Sequence, residues 1–213
     1  MRTSIWLCLA ACVLPVGSRA AVIGFDADPV GAAPPGWAVG VTGRGQAQWA
    51  VATDSSAPSA PNVLRQSGRG DFPWIVTGDA SLADGYVEVK FKPLAGREDQ
   101  AGGVIWRFKS GDEYYVARAN ALENNVSLYF VRNGHRNTLK YVDAADFGGS
   151  VRANQWHTLR VAFKGSRIAV LLDGRKAIEL DDRQIPGSGR VGLWTKADSV
   201  TAFDDFVFGV AGP

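Results

Sequence analysis

Alternation of apolar and polar residues constrains this chain more than any other feature. Val87, Val89 and Phe91 are interleaved with Glu88, Lys90 and Lys92, and Leu159, Val161 and Phe163 with Arg160, Ala162 and Lys164. A period of two puts each set on one side of an extended backbone, so these are strands with one face toward a core and one toward water. Turn signals separate them at short intervals: Ala83-Asp84-Gly85, Ser110-Gly111-Asp112, Arg132-Asn133-Gly134, Lys164-Gly165-Ser166 and Asp173-Gly174-Arg175. Asn133-Gly134 and Asp173-Gly174 suit type I′ hairpins, whose two central residues need the positive φ that Asn, Asp and Gly adopt at little cost. About a dozen strands with no long stretch of helical period predict two stacked antiparallel sheets, a sandwich or jelly roll, with a closed barrel as the alternative.

The first twenty residues stand outside that pattern. Arg2 precedes an apolar run over residues 5–16, and Ser18-Arg19-Ala20 has small residues at both cleavage-determining positions, as in a secretory signal peptide. The run is shorter than the roughly 20 residues a membrane-spanning helix needs. Leu9-Ala10-Ala11-Cys12 also resembles a bacterial lipoprotein box, but apolar residues continue past Cys12 through Val13 and Leu14, so lipid anchoring is the lesser reading. The expected organisation is a signal peptide over 1–20 and a single jelly-roll domain over 21–213, secreted or periplasmic.

Both cysteines, Cys8 and Cys12, fall in the leader, so the exported chain depends on a packed core and not on disulfides. At this size it can bury roughly 70% of the surface its unfolded form exposes. Of 23 Lys and Arg, Arg2 and Arg19 leave with the leader, and the remaining 21 match the 21 Asp and Glu. A near-neutral chain without a Lys/Arg run lacks the electrostatic footprint of a nucleic-acid or anionic-lipid binder. Residues 31–45 and 54–61, rich in Ala, Pro, Gly and Ser, read as surface loops.

Several kinds of chemistry are excluded by residue type. His135 and His157 cannot form a three-histidine zinc site, and neither His-Glu-x-x-His nor Gly-x-Ser-x-Gly occurs. His157, at a strand start after Trp156, reads as structural. Residues 187–192, GSGRVG, match a dinucleotide fingerprint literally. Its mechanism needs a strand before and a helix after, whereas Pro186 precedes and a strand from Val191 follows. Asp26-x-Asp28 with Gly31 hints at a calcium loop, but position twelve is Trp37, which rules out an EF-hand.

Residues 101–130 set Arg107, Arg118 and the pair Tyr114-Tyr115 into otherwise apolar strands, and such interruptions mark a site or a buried network. By period, Trp106 faces the core with Val104 and Phe108, Arg107 faces the other way with Ile105, and Arg118 shares a face with Tyr114 and Asn120. Arg107, Tyr114, Tyr115, Arg118 and Asn120 together would supply the rings and donors that sugars require. The plainer alternative pairs the arginines with Glu88 or Glu113. Glycoside cleavage needs two carboxyl groups, but Asp112, Glu123 and Asp143 lie near turns. Glu88, on a polar strand face, is the one catalytic candidate.

A family resemblance rests on Phe25-Asp26, Pro35-Gly36-Trp37, Trp49-Ala50-Val51, Asn62-Val63-Leu64, the segment AGGVIWRF at 101–108, Tyr114-Tyr115-Val116-Ala117-Arg118, Trp156-His157-Thr158-Leu159 and Phe203-Asp204-Asp205-Phe206. In this order they resemble the 3-keto-disaccharide hydrolase domain family, often labelled family-16 glycoside hydrolase-like. The resemblance implies a concanavalin A-like jelly roll whose concave sheet, in many relatives, faces carbohydrate. It also implies a structural calcium ion between the N-terminal strand and an acid on the last strand, here Asp26 with Asp204. Otherwise no cofactor is expected. Three departures bear on activity. Asp99-Gln100-Ala101-Gly102-Gly103 stands where many members have Gly-Asn-Ser-Gly, Lys90 replaces an acid, and the Glu-x-Asp-x-x-Glu strand of true family-16 glycosidases is absent. The expected function is therefore binding of a carbohydrate or glycoconjugate on the concave sheet, with hydrolysis of 3-keto-disaccharides as the alternative. Mass spectrometry of exported protein is expected to find Ala21 at the N-terminus, and a lipidated Cys12 would overturn the signal-peptide reading.

Overall fold

The computed structural model describes residues 22–210, so the segment expected to be a signal peptide, with Cys8 and Cys12, lies outside the described residues. The chain forms β1 (Val22–Ile23), β2 (Ala38–Gly45), β3 (Trp49–Thr53), β4 (Asn62–Gln66), β5 (Gly70–Val76), β6 (Gly85–Ala95), β7 (Ala101–Ser110) and β8 (Glu113–Asn120). It continues with β9 (Asn125–Arg132), β10 (His135–Asp143), β11 (His157–Lys164), β12 (Arg167–Leu172), β13 (Arg175–Asp181), β14 (Arg190–Trp194) and β15 (Val200–Gly209). One sheet runs β13-β12-β11-β6-β15-β4-β3, with β1 paired to β15, and the other runs β10-β9-β8-β7-β14-β5-β2. All pairings between named strands are antiparallel. The result is the expected two-sheet jelly-roll sandwich. Among the described residues no helix is long and apolar enough to cross a membrane.

Both hairpins read from turn chemistry form. Arg132 pairs with His135 across Asn133 (φ 51°) and Gly134 (φ 73°). Leu172 pairs with Arg175 across Asp173 (φ 49°) and Gly174 (φ 75°). Residues 187–189 lead straight into β14, so the glycine-rich segment is a turn before a strand and not a phosphate loop.

The alternating apolar sets of β6 and β11 are buried between the sheets with Val104, Trp106, Tyr115, Leu128 and Phe203. Trp106 stacks on Tyr115 with centroids 5.2 Å apart and on Phe163 at 5.9 Å. Rings of this size remove large apolar areas from water, which a sandwich with no cysteine among its described residues needs. The Gly102-Gly103 pair lets β7 approach that core, since a Cβ on Gly102 would sit 2.4 Å from the Phe91 ring.

The outer face of the first sheet is laced by ion pairs, two of them half-exposed and the third, Lys92–Asp54, largely covered. Glu88 meets Arg160, its cross-strand neighbour, at 3.1 Å, Lys90 meets Asp205 at 2.7 Å, and Lys92 meets Asp54 at 2.7 Å. Burial pushes the Asp54 carboxyl up, but hydrogen bonds from Lys92 and from the Ser56 hydroxyl and amide outweigh it and hold it at about 2. A folded-state pKa below the ordinary 3.8 means stability that is present above that value and lost as pH falls toward about 2. Asp54→Asn is therefore expected to be less stable than wild type near neutrality. The gap should narrow between pH 4 and 2, as read from urea midpoints across that range.

Candidate functional site

The outer face of the second sheet differs from that of the first. Alternation sends Trp106, Tyr115, Ala117 and Leu128 inward, and it sends Ile105, Tyr114, Val116, Arg118, Asn120 and Tyr129 outward. The outward set is nonetheless buried, and its members Ile105, Tyr114, Val116 and Tyr129 form a second apolar cluster with Val76, Phe108, Val131 and Trp194, against which Phe72 and Trp74 pack half-buried. The sheet curls over its own face. β10 and β5 are five strand steps apart, roughly 24 Å in a flat sheet. Yet the Arg136 guanidinium of β10 lies 4.8 Å from the Phe72 ring centroid of β5. On the far edge the Thr42 hydroxyl of β2 reaches the Gly111 carbonyl and the Tyr114 hydroxyl, the latter at 2.9 Å. Trp194 Nε1 donates to the same phenol, and burial pushes Tyr114 up to about 12, which keeps it a neutral hydroxyl.

One end of this concave face is polar. Arg118, 3% exposed, donates from Nη2 to Glu123 at 2.8 Å and to the Tyr129 hydroxyl at 3.2 Å. Its Nη1 lies 3.4 Å from Asn125 Oδ1 and 4.0 Å from Asp99. Asp99, 1% exposed, also accepts from Asn120 and Lys196. Burial pushes the Asp99 carboxyl up, and the charges of Lys196 and Arg118 only partly oppose it. Burial also pushes Glu123 up, but hydrogen bonds from Asn125 and Arg118 win and leave it below its ordinary value. Two acids flanking one guanidinium are thus shifted in opposite directions by their surroundings. Beside them opens a cleft of about 740 Å³ lined by Phe72, Asp99, Lys196 and the ion pairs Arg44–Asp71 and Arg69–Glu98. Buried on the concave face without hydrogen-bond partners are Trp74 Nε1, Arg118 Nε, Ser127 Oγ and Arg136 Nη1.

The structure gathers Tyr114, Arg118 and Asn120 on this face and disperses the rest. Arg107 does not join them, contrary to the period-two expectation. Ile105 pairs with Gly192 and Phe108 with Arg190, three residues against two, so β7 carries a bulge. Arg107 sits in it at φ 48°, and Phe108 takes the outward face instead. The guanidinium donates to the carbonyls of Ala83 (3.0 and 2.8 Å), Ile185 (3.1 Å) and Gly165 (2.8 Å), tying three loops together over the Phe163 ring. Gly189 is needed opposite, because a Cβ there would lie 2.4 Å from the Arg107 carbonyl carbon. Tyr115 faces the inner core, where its hydroxyl meets Asp182 and accepts the Ile185 amide at 3.0 Å. Glu88 lies on the outer face of the other sheet, locked to Arg160. His157 is clasped by Asp173 at 2.8 Å and by the Arg152 backbone, as befits a structural histidine.

Asp26 and Asp204, the pair expected to hold calcium, are engaged by protein donors. Asp204 accepts the Ser59 amide and hydroxyl, each at 2.8 Å, and Asp26 Oδ1 accepts the Asn62 amide at 2.9 Å, so donors occupy three of the four carboxylate oxygens of this pair. Among the described residues no three His, Cys, Asp or Glu side chains gather as a metal site. Sequence reading passed over Asp99, Lys196 and Arg136 and set Glu123 aside as a turn acid. The sole signal for Asp99 was its place at the departure from Gly-Asn-Ser-Gly.

A family model described as a 3-keto-alpha-glucoside-1,2-lyase-like domain matches residues 31–208. No curated protein sequence matches. Among solved structures, carbohydrate-binding module CBM66 from Bacillus subtilis is 21% identical with a TM-score of 0.63, over 80% of this chain and 93% of that one. The cellulose-induced protein Cip1 is 13% identical with a TM-score of 0.65, over 90% and 97%. A β-glucanase from Bacillus licheniformis is 17% identical with a TM-score of 0.54, over 87% and 97%. Likeness at these identities shows a shared jelly-roll fold.

The two arginines are expected to behave differently when shortened. Arg107→Ala leaves three carbonyl groups without their donor and is expected to cost about 2–4 kcal/mol in urea unfolding, with no direct effect on the concave face. A loss below about 0.5 kcal/mol would show that the loops hold without it.

Proposed function

Because the chain belongs to the 3-keto-alpha-glucoside-1,2-lyase-like domain family, we propose that it is an exported protein that binds a carbohydrate or glycoconjugate on the concave face of its curled sheet. The observation that carries this reading is the set of buried donors without partners, Arg118 Nε, Ser127 Oγ and Arg136 Nη1, beside the rings of Phe72 and Tyr129. A pyranose offers what they lack: hydroxyl and ring oxygens that accept hydrogen bonds, and a C–H face that packs on aromatic rings. Unmet buried donors cost stability, and a bound sugar that meets them recovers it as affinity. Phe72, half-exposed at the cleft, is the platform that a ligand meets first.

A second reading, cleavage of a 3-keto-glycoside, is favoured by one observation: Asp99 is pushed up and Glu123 held down on either side of Arg118. Hydrolysis needs an acid for the leaving oxygen and a base for water. Elimination needs the same acid and a base for the proton at C2, which a 3-keto group acidifies. In both, Asp99 and Glu123 are the two carboxyl groups at the site, and Glu88, on the opposite sheet, takes no part.

Isothermal titration against a glycan panel, run beside turnover of a 3-keto-disaccharide, separates the two. Arg118→Met and Phe72→Ala are expected to weaken sugar binding by about one to two decades while circular dichroism stays native. Wild-type turnover that vanishes in Asp99→Asn, with binding retained, would establish the enzymatic reading. A folded wild type that neither binds nor turns over any sugar would overturn both.

A further inference from the structure

Charges on the concave face do not cancel. Arg118, Lys196 and Arg136 stand with Asp99 and Glu123 in one electrostatically coupled group, three cations against two carboxylates. Arg118 is taken by Glu123 and Asp99, and Lys196 by Asp99. Arg136 is the cation left over. It forms no ion pair among the described residues, and its Nη1 is buried with no hydrogen-bond partner.

Its guanidinium lies 4.3 Å from the Tyr129 ring centroid and 4.8 Å from that of Phe72. Aromatic faces attract a cation, but they replace neither lost water nor a carboxylate. Burial accordingly pushes the Arg136 guanidinium down from its ordinary value. The other cations at the cleft are already neutralised, Arg44 by Asp71 and Arg69 by Glu98.

The remaining unmet groups point the same way. Ser127 is directly across from Arg118 in the β8–β9 register, and both Ser127 Oγ and Arg118 Nε lack partners. Two guanidinium N–H groups and a hydroxyl ask for acceptors. A neutral sugar hydroxyl brings a donor with every acceptor, whereas a carboxylate or sulfate brings acceptors alone and a charge that pairs with guanidinium.

We propose that the sugar bound on the concave face carries an anionic substituent, in the first instance the carboxylate of a uronic acid, received by Arg136 beside Ser127 Oγ and Arg118 Nε. This rests on the concave-face reading above and names its ligand class. A sulfate ester shares the chemistry, so both belong in the test.

Four probes decide it by calorimetry on the intact chain: a glucuronic-acid-terminated disaccharide, its methyl ester, its glucose counterpart and that counterpart's 6-sulfate. The acid is expected to bind about ten- to a hundredfold tighter than the ester or the neutral sugar, with a margin that shrinks as salt rises. Arg136→Met should bring the acid-to-ester ratio to about one, and Arg136→Lys should keep part of it. Sulfate bound as tightly as carboxylate would support recognition of the charge, and weak sulfate with strong carboxylate would narrow the class to uronates. If wild type binds the ester or the neutral sugar as well as the acid, the proposal falls and the concave-face reading stands. A preference that survives in Arg136→Met also overturns it. No binding of any probe by folded wild type overturns the proposal and leaves the concave-face reading to the glycan panel. Should Arg136→Met fail to fold, the wild-type comparison of acid with ester decides alone.

Discussion

Curling of the second sheet over its own outer face is the constraint on which the rest of the molecule depends. Apolar residues on both sides of a strand leave two ways to escape water: cover the outer face with another layer, or bend the sheet around it. Here the sheet bends. Thr42 on one edge bonds to Tyr114 on β8, and Arg136 on the other edge lies over Phe72. The space between is filled by Trp194, Phe108 and Tyr129. Burial of that many rings outweighs the loss of an even, open ladder.

The polar chemistry follows from the same geometry. Any charged residue whose alternation places it on the curled face is withdrawn from water and must find partners there. Arg118 does so through Glu123, Tyr129 and Asn125, and Asp99 does so through Asn120 and Lys196. On the outer face of the first sheet, half-exposed pairs such as Glu88–Arg160 and Lys90–Asp205 exchange water for one another at little net gain. Equivalent alternation therefore yields a partly solvated ion-pair lattice on one side and a desolvated site on the other.

How much of the site was legible follows strand by strand. Across β8 the pairing with β9 runs unbroken from Glu113 to Asn120, so the shared face of Tyr114, Arg118 and Asn120 was readable from spacing alone. In β7 the inserted residue shifts the phase after Ile105, which sends Arg107 to the loop carbonyls and Phe108 to the concave face. Nothing in the residue types announces that bulge. Asp99 and Lys196 stand nearly a hundred residues apart on connecting segments without periodicity, and they meet because β14 pairs with β7. Arg136 lies on an edge strand whose alternation is mostly exposed, and only closure of the sheet turns it inward.

Taken alone, the sequence determined the strands, the hairpins at Asn133-Gly134 and Asp173-Gly174, the two-sheet class and the family, because these depend on local φ preference and on which side of one strand a residue falls. Tertiary structure decided which outer face is dry, which acid is pushed up and which cation is left without a partner. Those properties depend on distances between strands far apart in the chain, and a period of two carries no information about how far a sheet curls.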